Sequence, residues 1–173
     1  MRIATRQDWD TKPLPDAHTS INVHRDFSFG EMVRIEAGLL PEAMEDKWFI
    51  YFEGNHLYFH RSWSGVCVYI GHFVENDGVY TMTSIDANRD ADEYSGIDDG
   101  YDVKMVFFLI DLLLLGKDVE FPDQRASVAE TWAVAGRAYV NADHKERVAS
   151  LELWIEDRRA DEGSTSSHSE QRS

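Results

Sequence analysis

The chain has 173 residues and a formal charge of -15, from 32 acidic against 17 basic side chains. That length suits one domain with one real core, and the charge repels phosphate backbones, which disfavours nucleic acid and favours a basic partner or a cation. A lone cysteine, Cys67, excludes an internal disulfide, and its place in an apolar run fits a buried, inert thiol.

The first residues, MRIATRQDWDTKPLPDAHTS, lack the apolar centre of a signal peptide. The most apolar run, Met105 to Leu115, contains Asp111 and falls well short of the roughly 20 residues a membrane span needs. A cytoplasmic bacterial protein with no membrane segment is the expectation.

Residues 1–26 carry Pro13 and Pro15 and no sustained period, so they read as a flexible arm or as a strand added to a sheet edge. From Phe27 to Leu40 the apolar residues fit a short amphipathic helix, with Ser28 as N-cap, Glu31 as its capping-box partner and Pro41 as the stop.

The stretch Met44 to Phe73 is the centre of the chain and reads as a β-meander broken at Gly54-Asn55 and near Ser64-Gly65. A two-residue turn pairs Glu53 with His56. Counting outward then sets Phe52 against Leu57, Tyr51 against Tyr58, Ile50 against Phe59, Phe49 against His60 and Trp48 against Arg61. Alternation places Trp48, Ile50, Phe52, Leu57, Phe59 and Arg61 on a core face, joined by Val66, Val68 and Ile70. The other face collects Lys47, Phe49, Tyr51, Glu53, His56, Tyr58, His60, Ser62, Cys67, Tyr69 and Phe73. It is aromatic and edged with polar handles, so it is either covered or binds something.

A fourth strand is predicted over Val79 to Ile85, followed by an acidic, exposed loop over residues 86–102. Asp98, Asp99 or Gly100 caps a buried helix over Tyr101 to Leu115, which Gly116 ends. Further helices are predicted over Asp123 to Val140 and Asp143 to Arg159. Residues 161–173 are polar, of low complexity and read as a disordered tail, leaving 27–160 as a single α+β domain.

The run His60-Arg61-Ser62-Trp63, with Lys47 and Tyr58 near it, is the strongest candidate for chemistry. Arg61 on an apolar face must find a carboxylate, carbonyls or a ring, and Asp111 on the buried helix is a candidate partner; a purely structural role competes with a ligand role. His60 and Ser62 have no third member for nucleophilic catalysis. The seven histidines show no paired ligand spacing for zinc, although His56 and His60 share a strand face. Counted from Asp86, the acidic loop lacks the glycine and glutamate of a calcium-binding loop, so no metal or other cofactor is expected.

The stretch MEDKWFIYFEGNHLYFHRSWSGVCVY resembles a small, uncharacterised bacterial family that shares a MEDKWF, then LYFHRSW, then small-residue-glycine pattern. The resemblance covers roughly residues 28–120, with Arg61-Ser62-Trp63 its most specific part. Similar sequences are associated with ADP-ribose-processing macro-domain proteins, but the macro-domain phosphate loop has no counterpart here, so the resemblance carries no catalytic residue.

These readings predict an antiparallel meander of four or more strands with helices on one face, acting as a non-enzymatic binding domain. Lys47, Tyr51, Tyr58, His60, Arg61, Ser62, Trp63 and Tyr69 are the candidate ligand-binding residues, with a small anionic or nucleotide-like molecule as the ligand. The alternative is an acidic interaction protein, of the immunity, antitoxin-like or accessory-subunit kind, that binds a basic protein.

Overall fold

A computed structural model describes residues 2–123, 125, 126 and 128–136. The fold is α+β, built on a five-stranded antiparallel sheet of order β1-β5-β4-β3-β2. The strands are β1 (His18–Phe27), β2 (Trp48–Glu53), β3 (His56–Arg61), β4 (Cys67–Asn76) and β5 (Val79–Asn88). Strands β2 to β5 form the meander, and β1 joins its β5 edge. The described helices are α1 (Phe29–Ala37), α2 (Asp99–Leu109) and α3 (Val128–Ala135). Among the described residues no helix is long and apolar enough to cross a membrane. The helix predicted over 143–159, the tail over 161–173 and the last residues of the helix predicted over 123–140 lie outside the described residues.

The first hairpin has the register counted from its turn, from Glu53 with His56 out to Trp48 with Arg61. Gly54 and Asn55 both take positive φ, so the turn twists with the strands. The count fails one strand later. Phe59 pairs with Tyr69 but His60 pairs with Cys67, so Val68 is an extra residue in β4. Such a bulge reverses the alternation beyond it. Tyr69 and Phe73 therefore lie on the core face with Phe59 and Phe52, whose rings they meet at 6.2 and 5.6 Å, while Ile70 pairs with Tyr58 on the other face. The sequence count had these three reversed, because a bulge leaves no mark in the hydrophobic pattern of this run.

Trp48, Ile50, Leu57, Phe59, Tyr69, Met82 and Ile85 are buried on the core face, and α2 contributes Met105, Val106, Phe108 and Leu109. Each fully buried large side chain contributes about 1.5–3 kcal/mol. Helix α1 has the expected Ser28–Glu31 capping box but ends at Ala37, short of Pro41. Gly38 takes a φ of 67°, and a Cβ there would collide with the Ile50 carbonyl as the chain turns to bridge Leu39 to Ile50. Helix α2 starts on the Asp98 cap two residues earlier than predicted, and its continuation over Ile110–Leu114 widens into a π-helix before Gly116.

Candidate functional site

Adjacent strand residues point to opposite faces, and the eight candidate residues separate into three environments. Tyr51 and His60 are sealed in, with Tyr58 half-buried beside them. The N-terminal segment runs over them: Trp9 stacks on Phe49 at 5.8 Å, its indole N–H donates to the Ser62 carbonyl at 2.5 Å, and the Lys12 amide donates to the Gly65 carbonyl at 2.8 Å. Ala4, Phe49 and Tyr51 form a second, smaller core flanked by Trp9, Leu40 and Tyr58.

Within it the Tyr51 ring stacks on Tyr58 at 4.7 Å and on His60 at 5.7 Å. His60 is 2% exposed, its Nδ1–H donates to the Gly65 carbonyl at 2.9 Å, and its Nε2 has no partner among the described residues. Burial holds the imidazole below its ordinary pKa and raises the Tyr51 hydroxyl to about 12. Cys67, paired with His60, is likewise pushed up to about 12 by burial and is a poor nucleophile. This half of the aromatic face is core.

Lys47, Ser62 and Trp63 lie elsewhere, around a groove of about 510 Å³ that Trp9, Pro41 and Met44 complete. Ser62 Oγ donates to the Asp46 carbonyl at 2.6 Å, while Trp63 and Met44 are 89% and 93% exposed.

Arg61 and Tyr69 line a third site, a cleft of about 370 Å³ on the core side of the sheet. The Arg61 guanidinium lies 4.5 Å above the Trp48 ring, and Trp48 in turn stacks on Tyr69 at 6.3 Å. Asp111 is not its partner. That carboxylate takes two bonds from Arg25, at 2.6 and 3.1 Å, and an ion pair from Lys117 at 3.2 Å. The structural clamp between sheet and helix is thus Arg25, whose guanidinium also lies over Phe27 and Phe107. Among the described residues Arg61 meets no carboxylate, and its hydrogen bond to the Ala133 carbonyl is long at 3.4 Å. Burial lowers its pKa, yet a guanidinium keeps its charge at neutral pH.

The wall facing Arg61 comes from the stretch expected to be a solvated acidic loop. Strand β5 runs on to Asn88, and the following residues close around a carboxylate with no solvent exposure, Asp102. Tyr69 and Tyr94 hydroxyls donate to its Oδ1, each at 2.8 Å, and Arg89 donates to its Oδ2 at 2.6 Å. Asn88 Nδ2 donates to the Cys67 carbonyl at 2.8 Å and to Glu93 at 3.2 Å. Burial, first of all, raises the Tyr69, Tyr94 and Tyr101 hydroxyls, so they stay protonated donors. A Cβ on Gly96 would run into the outer end of the Tyr94 ring, so a larger residue there would have to displace that ring. The result is a cleft with walls of tyrosine, a braced loop and a cation that meets no carboxylate among the described residues.

Tyr94, Tyr101, Glu93 and the Asp102 hub went unread in the sequence. Their signals were an aspartate in the first turn of an apolar helix, which must find donors, and one arginine inside a carboxylate run. Among the described residues no three His, Cys, Asp or Glu side chains come together in a group that could hold a metal ion. No family model, curated protein or solved structure matches the chain.

Proposed function

We propose that this protein is a binding domain for a small anionic ligand with a planar body, nucleotide-like in outline, and that the ligand enters the Arg61 cleft and not the aromatic face sealed by the N-terminal segment. One observation carries the reading: Arg61 is laid on Trp48, lines a cavity with Tyr69, Tyr94 and Tyr101, and has no carboxylate among the described residues. A guanidinium has five N–H donors, and among the described residues Arg61 uses one of them, in the long bond to the Ala133 carbonyl. A ligand oxyanion supplies the missing acceptors in the paired geometry that arginine favours, and tyrosine rings supply the flat surfaces. A volume of about 370 Å³ sits at the small end of ligand pockets, which run roughly from 300 to 1,000 Å³.

The test is a thermal-shift screen of nucleotides, ADP-ribose, phosphorylated metabolites and aromatic carboxylates against the wild type and Arg61→Met, which keeps apolar contact with Trp48 and removes the charge. A compound that raises the Tm of the wild type and not of the variant supports the reading. If no compound shifts the wild type, or if the shift survives in the variant, the reading fails.

A second reading, a basic protein partner, is favoured by the exposed Trp63 and Met44 beside their groove, on a chain of charge -15. Apolar side chains would seat a partner's hydrophobic residue while the acidic surface steers its lysines and arginines. It requires that a Lys/Arg-flanked aromatic peptide bind with an affinity that falls both with salt and in Trp63→Ser.

A further inference from the structure

The cleft holds a second unpaired charge, and it has the opposite sign. Glu93 lines the same cavity as Arg61, accepts one hydrogen bond at 3.2 Å from the neutral Asn88 amide, and meets no cation among the described residues. Arg61 and Glu93 share a cavity of about 370 Å³ without forming an ion pair with each other. They are held apart instead, Arg61 by its stack on Trp48 and Glu93 by its bond to Asn88. Tyr94, Tyr101 and Met105 line the same cavity.

Resting on the Arg61 reading above, we propose that the ligand is a small aromatic zwitterion, such as an aromatic α-amino acid. Its carboxylate pairs with Arg61, its ammonium pairs with Glu93, and its ring lies among the tyrosines. Charge balance separates this class from nucleotides. A nucleoside monophosphate brings close to two negative charges to a cleft with one cation. One of those charges would stay unmatched, beside Glu93 and in the field of Asp123, Asp102 and Glu130 around Tyr101. A zwitterion leaves no charge unmatched. The cavity size points the same way, since it suits one ring with a short charged arm.

Titration calorimetry tests this with four probes: L-phenylalanine, 3-phenylpropionate, which lacks the amine, phenethylamine, which lacks the carboxylate, and adenosine monophosphate. Each is titrated into the wild type, Arg61→Met and Glu93→Gln; the glutamine keeps the acceptor for Asn88 and removes only the charge. The expected order in the wild type is phenylalanine tighter than either truncated analogue by tenfold or more. Arg61→Met should weaken phenylalanine at least tenfold. Glu93→Gln should do the same to phenylalanine while leaving phenylpropionate equal or tighter. Phenylpropionate matching phenylalanine, or phenylalanine indifferent to Glu93→Gln, overturns the zwitterion. Adenosine monophosphate binding through Arg61 with no binding of phenylalanine overturns the zwitterion and leaves the anion cleft standing. Absence of binding by all four, with no hit in the wider anion screen, removes both.

Discussion

Arg25 and Arg61 each lie on an aromatic ring on the helix-bearing side of the sheet, and they differ in what meets the charge. Arg25 has a carboxylate held by two bonds, at 2.6 and 3.1 Å. Arg61 has Trp48, a distant carbonyl and an open cleft. The first is a closed element that ties β1 to the end of the α2 segment, and its charges already satisfy one another. The second has no carboxylate among the described residues, which is why the ligand is proposed there. Both arginines stack on a ring, so what separates them is the carboxylate that Arg25 has and that Arg61 lacks among the described residues.

The largest expected effect lies beside that comparison, at the wall of the cleft. Asp102→Ala leaves two tyrosine hydroxyls and Arg89 without their buried acceptor and is expected to lower stability by about 3–5 kcal/mol in urea denaturation. A cost under about 1 kcal/mol would mean that the hub is not the brace described.

Arg25→Met is expected to cost about 1–3 kcal/mol. The ion pair is partly exposed, at 21% and 18% of the two side chains, and Lys117 still reaches Asp111. Arg61→Met should cost less than about 0.5 kcal/mol, since it removes a charge that meets no carboxylate among the described residues. Urea midpoints of the two variants sharpen the comparison directly: equal losses would make Arg61 a second structural clamp.

The smallest effect is in pH. His60 has a folded pKa below its ordinary 6.5, chiefly through burial, so the unfolded chain takes up a proton that the folded chain refuses. Its contribution is complete above about pH 6.5 and is lost as pH falls towards the folded value. Relative to His60→Phe, the wild type should therefore lose stability faster between pH 7 and pH 5, by less than about 1.4 kcal/mol per pH unit. Parallel pH profiles would show that His60 is not sealed as described.

Much of the architecture was legible because hydrophobic alternation and turn chemistry act locally. Glu53-Gly54-Asn55-His56 determines every pair of the first hairpin, and Ser28 with Glu31 announces α1. What alternation does not carry is a bulge. Val68 turned Tyr69 from the aromatic face to the core, and with it moved one candidate residue next to Arg61. The density of Tyr, His and Arg in the meander suggests one surface, but consecutive positions such as His60 and Arg61 belong to opposite faces, one buried and stacked on Tyr51 and one in the cleft. The acidic run hid the wall because charge content says nothing of which carboxylate is buried. Asp102 differs from its neighbours only in what folds around it.

Two indoles serve as reporters for the two regions. Trp48 Nε1–H donates to the Val134 carbonyl at the cleft, at 2.6 Å, and Trp9 Nε1–H donates to the Ser62 carbonyl on the opposite face, at 2.5 Å. The decisive measurement is an amide and indole NMR titration of the protein with L-phenylalanine, repeated with whichever anion the thermal screen selects. Saturable shifts at Trp48, Arg61, Tyr94 and Tyr101, with the Trp9 indole unmoved, are the result this account predicts. Shifts centred on Trp9, Tyr58 and Trp63, with Trp48 unmoved, would contradict it and return the binding surface to the aromatic face.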